Sequence, residues 1–301
     1  MPTNELSGQS SFFEGSHALK ITKPIRLIEL FAGIGSQAAA LKRLGADFEH
    51  YRVCEFDKFA IKSYNAIHGT DFEVSDITQL HSSDLGICDT DKFTYIMTYS
   101  FPCTDLSKAG KQQGMSRTDG TRSGLLWEVE RLLTEVERLP QILLMENVPD
   151  VLSPKFISDF AEWISFLDDL GYISTYQVLN AKNFGIPQNR ERCFMVSFLG
   201  DYYYDFPAPI PLEKRLKDVL EESVDEKYYL SDKAVEGLTR AMNREHTPTM
   251  LDPGGALSDD RYASWSGNTP QPICNTVRAG GRGSLDKHSW DLVIERSEDG
   301  S

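Results

Sequence analysis

Apolar positions fall in short blocks separated by polar, helix-period stretches. The first block, Ile25–Leu30, is rich in Ile and Leu and breaks into Phe31-Ala32-Gly33-Ile34-Gly35, after which a helical pattern runs over 36–44 and closes at Gly45. That is strand, glycine turn, helix. The alternation recurs: strand over 50–54, helix over Lys58–His68, strand over Thr94–Tyr99, helix over 125–139, then Pro140 as a stop before a strand over 142–145. A helix over 156–170 closed by Gly171 and strands over 174–179 and 193–198 complete the series. Strands alternating with helices predict an α/β fold with a mostly parallel sheet covered on both faces. In such sheets ligands bind at the carboxyl ends of the strands, and the motifs described below all fall there.

Beyond Gly200 the texture changes to a Tyr- and Pro-rich run, then charged segments, then Gly- and Ser-rich stretches around Pro253 and over 279–284. The expected organisation is a flexible amino-terminal arm over 1–23, a catalytic domain over 24–200 and a smaller domain over 201–301. No internal repeat is visible.

Composition adds compartment and partner class. The 301 residues are 40% hydrophobic and 11% aromatic, which suits a soluble globular enzyme. Residues 1–20 do not read as a signal peptide, and no stretch approaches the ~18 apolar residues of a membrane span, so a cytoplasmic protein without membrane contact is expected. Cys54, Cys88, Cys103, Cys193 and Cys274 are odd in number and form no C-x-x-C pair, against a disulfide framework or a zinc site; no metal is expected. The formal charge of -14 speaks against nucleic acid as partner. Cations do cluster locally, however, at Lys108, Lys111, Arg117 and Arg122 and again at Arg261, Arg278, Arg282 and Lys287.

Four motifs carry candidate chemistry. Gly33 and Gly35 lack side chains in a turn after the first strand, where backbone amides can approach a ligand or simply make a tight turn. Glu55 ends the next strand at the distance where such folds contact a ribose. Phe101-Pro102-Cys103 follows a strand and offers a thiol among cations that favour the thiolate, the alternative being a buried inert cysteine. Glu146-Asn147-Val148 and Gln188-Asn189-Arg190-Glu191-Arg192 add a carboxyl group and an arginine pair.

The order and spacing of these motifs resemble the cytosine-5 DNA methyltransferase family of bacterial and phage type, well over 24–200 and loosely beyond. The resemblance implies a Rossmann-like methyltransferase fold with a mixed sheet and a smaller target-recognition domain. It also implies S-adenosylmethionine as methyl donor and double-stranded DNA as partner, in a bacterial cytoplasm. Cys103 is then the nucleophile for carbon 6 of a flipped cytosine, Glu146 the group at ring nitrogen 3, and Arg192, with Arg190, a fixed cation. The bland alternatives are a solvated Glu146 and a structural salt bridge for the arginines. Phe31, Gly33, Gly35, Glu55, Phe56, Asp76, Ile77, Pro102 and Asn147 would hold the donor. Core packing is the alternative for Phe56, and a helix N-cap the alternative for Asp76. The segment 104–123 resembles the loop that closes behind the extruded base, with Ser107, Lys108, Lys111 and Gln112 as DNA contacts, or else it is a generic surface loop. Arg278 and Arg282 are candidate contacts in the recognition region.

Two departures stand out. Thr104 occupies the position after the cysteine where the family commonly has glutamine. The family's last motifs, a segment that returns to the catalytic domain and lines the methionine pocket, find no counterpart before Ser301. The resemblance therefore leaves three expectations open: a second polypeptide supplies that wall, the chain is truncated, or a short form binds DNA without catalysis.

Overall fold

The computed structural model describes residues 17–102, 123–221, 223–226, 229, 231, 262–266, 269–271, 274–275 and 293–295. The expectations for Cys103, Ser107, Lys108, Lys111, Gln112, Arg278, Arg282 and most of the amino-terminal arm lie outside these residues. By its contacts the chain forms two compact units, 1–178 with 192–207, and 179–191 with 208–301.

A six-stranded sheet dominates the first unit. Its strands are β1 (Ile25–Leu30), β2 (Phe48–Cys54), β3 (Thr94–Tyr99), β4 (Ile142–Asn147), β5 (Tyr172–Asn180) and β6 (Glu191–Leu199), in the order β2-β1-β3-β4-β6-β5. β2, β1, β3 and β4 are mutually parallel, and β6 runs antiparallel to β4, with Glu146 opposite Phe194 and Asn147 opposite Cys193. The sheet is mixed, and its strands alternate in sequence with helices α1 (Ser36–Arg43), α2 (Lys58–His68), α3 (Leu126–Glu135) and α4 (Ile157–Asp169).

Both faces of the sheet are covered, so its central strands are apolar on both sides. β3 is buried at every position. Ile28, Leu30, Tyr95, Met97, Tyr99, Leu143 and Met145 pack with Val129 and Leu132 of α3 and Phe160, Trp163 and Leu167 of α4. On the opposite face Ile25, Leu27, Ile96 and Ile142 pack with Ala38 of α1. Trp163 finds a partner for its indole N–H inside this core, the Tyr99 hydroxyl at 3.1 Å.

Local chemistry sets the helix ends. Asp57 caps α2 by accepting from the amides of Phe59 (2.7 Å) and Ala60 (3.2 Å), and Gly69 closes it at φ +70°. α3 ends at Glu135, short of the expected 139. Val136 turns extended, and it and Leu139 pack against the core instead of continuing the helix toward Pro140.

In the second unit Tyr262–Ser266 pairs antiparallel with Thr269–Gln271 and with Val293–Glu295. Gln188–Asn189 pairs parallel with Cys274–Asn275.

Among the described residues of the sheet, Glu29 of β1 is a fully buried acid. It accepts the Tyr64 hydroxyl (2.5 Å) and the Ala38 amide (3.3 Å), and the Tyr64 oxygen lies 2.7 Å from His50 Nδ1. Burial raises the Glu29 pKa above its ordinary 4.5, opposed in part by the Tyr64 and Ala38 hydrogen bonds. Between those two values the folded chain keeps a proton that the unfolded chain has released. The stability contributed by neutral Glu29 is therefore full below the ordinary value and lost as pH rises through the raised one. Urea midpoints measured across that window should fall with pH in the wild type, and Glu29→Gln should flatten the dependence.

Candidate active site

The turn after β1 holds three residues with left-handed backbone: Phe31 (φ +57°), Gly33 (φ +57°) and Gly35 (φ +79°). The two glycines are needed for different reasons. A Cβ on Gly33 would meet nothing within 4 Å, leaving an open cradle in front of the turn. A Cβ on Gly35 would collide with His68 Nε2 and lie 2.6 Å from the Tyr64 ring, so that position is closed by α2.

Glu55, just past the end of β2, fixes the turn. Its Oε2 accepts the Gly33 amide at 2.8 Å and its Oε1 accepts the Asp57 amide at 2.7 Å. A carboxylate has about four lone-pair sites, so each oxygen can take a further donor. Phe56 beside it is 73% exposed, which removes core packing as its role. Asp76 does cap a short 3-10 turn, Ile77–Gln79: the amide and the hydroxyl of Thr78 both donate to its Oδ1, at 3.0 and 2.9 Å. Ile77 is buried, and Arg131 of α3 clamps the turn by donating to the carbonyls of Ile77 (3.2 Å) and Leu80 (3.0 Å).

At the ends of β3 and β4 the chain is tied together by Asn147. Its buried amide donates to the Phe101 carbonyl at 3.1 Å and its oxygen accepts the Val148 amide at 2.8 Å. Both polar ends of a residue expected to hold a ligand are thus engaged by protein, and they fix the chain just before Pro102. Glu146 and Arg192 come together, Arg192 Nε donating to Glu146 Oε1 at 2.9 Å with side chains 22% and 17% exposed. Arg192 does make a salt bridge, the alternative to its role as a fixed cation, but its partner is the candidate acid itself. Because β6 is antiparallel, its first residues lie at the carboxyl edge of the parallel strands, beside the end of β4.

Arg190 belongs to the second unit. Its amide donates to the Gln188 carbonyl (3.1 Å) and to Asn180 Oδ1 (3.2 Å), while Asn180 donates to Asn189 Oδ1 at 2.8 Å. Gln188 and Asn189, for which sequence gave no role, form the short strand paired with Cys274–Asn275.

The described thiols narrow the choice of nucleophile. Burial pushes Cys54 up to about 11, and burial with the nearby Glu146 charge pushes Cys193 up to about 12, so both are inert near neutral pH. Cys88 is exposed, with its thiol 3.6 Å from Asp89 Oδ2 and distant in sequence from every motif. No three His, Cys, Asp or Glu side chains among the described residues group as a metal site would require. No helix among them is long and apolar enough to cross a membrane.

Sequence reading missed Glu29 and Gln37. An acid inside the apolar Ile25–Leu30 run was a visible signal for the first. Nothing in the sequence marked Gln37, whose Nε2 donates to Ser100 Oγ at 3.3 Å and links α1 to the end of β3.

A glycine turn, a strand-end carboxylate and a carboxylate–guanidinium pair lie along the carboxyl edge of this α/β sheet. Residues 25–288 match the family model for C-5 cytosine-specific DNA methylase, and the chain belongs to that family. It is 35% identical over 265 residues to the orphan methyltransferase M.SssI of Spiroplasma monobiae, covering 70% of this chain and 68% of that protein. It is 37% identical over 216 residues to the type II methyltransferase M.NlaX of Neisseria lactamica, covering 71% and 66%. The chain thus spans about two thirds of the length of these relatives. The Dnmt2 methyltransferase of S. pombe shares the fold, with a TM-score of 0.57 at 23% identity over 72% of this chain and 67% of that one.

Replacing Asn147 with alanine strands the buried Phe101 carbonyl and the Val148 amide. Urea unfolding should show a loss of about 1–3 kcal/mol, the usual cost of a buried polar group without its partner.

Proposed function

We propose that the chain transfers a methyl group from S-adenosylmethionine to carbon 5 of a flipped cytosine in duplex DNA, through a covalent adduct with Cys103. The observation that carries this reading is the Glu146–Arg192 pair at 2.9 Å, at the same sheet edge as the glycine turn.

The residues present fit the donor. The open front of Gly33, the remaining lone pairs of Glu55 and the exposed ring of Phe56 suit a nucleoside with its ribose on the carboxylate. Phe31, Gly35, Asp76, Ile77 and Pro102 complete the surround, and Asn147 acts by holding Phe101. When bound, S-adenosylmethionine supplies an electrophilic methyl group.

Carbon 5 of cytosine is a poor nucleophile, so Cys103 adds as thiolate to carbon 6 and moves the ring's electron density to carbon 5. Glu146 meets the charge that develops at ring nitrogen 3. Arg192 holds the Glu146 carboxyl in place and keeps a rigid planar cation at the site. Carbon 5 then takes the methyl group; water accepts the carbon 5 proton, the C–H electron pair restores the carbon 5–carbon 6 double bond, and the Cys103–carbon 6 bond breaks to release the thiolate. Reaching carbon 6 requires extrusion of the base, for which Ser107, Lys108, Lys111 and Gln112 supply contacts. The region 201–301, with Arg278 and Arg282, reads the target, and Arg190 supports it from the same unit.

Incubation with mixed-sequence duplex DNA and methyl-labelled S-adenosylmethionine should place label on cytosine carbon 5. Cys103→Ser should abolish both transfer and covalent trapping on duplex containing 5-fluorocytosine; trapping that persists would reassign the nucleophile. Glu146→Gln should slow single-turnover transfer by about 10²–10⁴-fold, the range of general acid–base contributions. A wild-type chain that is folded yet transfers no label would overturn the reading.

A further inference from the structure

The glycine turn is gripped from both sides. On the ligand side Glu55 takes the Gly33 amide at 2.8 Å. On the helix side His68, at the last position of α2, lies 3.0 Å from the Ile34 carbonyl through Nε2. A carbonyl can only accept, so Nε2 carries the proton in this contact and donates it, in the neutral ring or the charged one.

His68 occupies its place because Gly35 has no side chain. The Cβ that any other residue would add coincides with the imidazole, and the Tyr64 ring closes the same space. The rings of His68 and Tyr64 are 4.5 Å apart and those of His68 and His50 5.0 Å. Tyr64 is itself fixed by its bond to the buried Glu29. The imidazole is therefore wedged between α2 and the turn, with its donor on the carbonyl oxygen of the Ile34–Gly35 peptide.

We propose that His68 is a positioning residue for the methyl donor: by holding the Ile34 carbonyl it fixes the Ile34–Gly35 peptide plane and so keeps the turn that carries Gly33 open toward the ligand. The inference rests on the assignment of this turn to S-adenosylmethionine. Its physical content is preorganisation. Without His68 the turn keeps the Gly33 amide on Glu55, the Gly35 amide on the Ala32 carbonyl at 2.9 Å and the Ala32 amide on the Cys54 carbonyl at 3.2 Å, but none of these holds the Ile34 carbonyl, and a turn with three left-handed residues has alternatives for that peptide. His68 touches no reacting atom, so its loss should appear in donor affinity and leave the chemical step intact.

The test is calorimetric binding of S-adenosylmethionine to the full chain, with thermal melting alongside. His68→Phe keeps the ring volume against Gly35 and Tyr64 and removes the donor. His68→Gln keeps an N–H that can reach the Ile34 oxygen. Glu55→Gln is the control for the site. The expected result is an affinity loss of tenfold or more in His68→Phe, recovery to within about threefold of wild type in His68→Gln, and no parallel drop in melting temperature. In turnover, the KM for S-adenosylmethionine should rise in His68→Phe while kcat at saturating donor stays within about twofold. Unchanged affinity in His68→Phe, with Glu55→Gln impaired, would overturn the role of His68 and leave the site intact. Equal losses in His68→Phe and His68→Gln, tracking a lowered melting temperature, would make the residue structural only. Absence of binding to the wild-type chain would overturn the site and this inference together.

Discussion

The antiparallel pairing of β6 with β4 is the constraint on which the site depends. Four parallel strands deliver their carboxyl ends to one edge, and a parallel neighbour would have delivered only its own last residues there. Reversing one strand brings an amino-terminal end to that edge instead. Arg192, the second residue of β6, thereby meets Glu146 near the end of β4 at hydrogen-bond distance. Residues 46 positions apart in sequence are set against each other by sheet register, not by loop geometry. Such a pair sits on paired strands whose ladder continues into the buried core.

Around this edge two glutamates do opposite work. Glu55 is at the surface of the sheet edge, and its two oxygens tie the glycine turn to the start of α2. Glu29 is inside, and it ties β1 to α1 and α2 through Ala38 and Tyr64. The turn between them inherits its shape from both, which explains how a segment with three left-handed residues keeps one conformation.

The sheet was legible because its strands are nearly continuous apolar blocks punctuated by glycine and proline. β1, β3 and α2 fall where the pattern places them, and α3 stops early only because Val136 and Leu139 gain more from the core than from another helical turn. The carboxyl-edge site was legible in the motif order. Pairing was harder to read: nothing in the local sequence of 188–192 says that Arg190 joins the second unit while Arg192 joins the first, because that division is made by long-range contacts. Asn147 was read as a ligand contact for a similar reason. An amide side chain beside a strand end can face either way, and the buried Phe101 carbonyl, remote in sequence, claims it.

The chain from buried Glu29 through Tyr64 to half-buried His50 has a consequence for how this protein can change over time. Each member has its hydrogen-bonding direction set by the next, because a hydroxyl that donates to the carboxylate must accept from the imidazole. A substitution at one position leaves a polar atom facing the wrong kind of neighbour, and repair requires a second exchange close by. These three sites, on two strands and a helix, form one unit of inheritance: among related sequences they should be exchanged together, while the exposed positions around them drift independently.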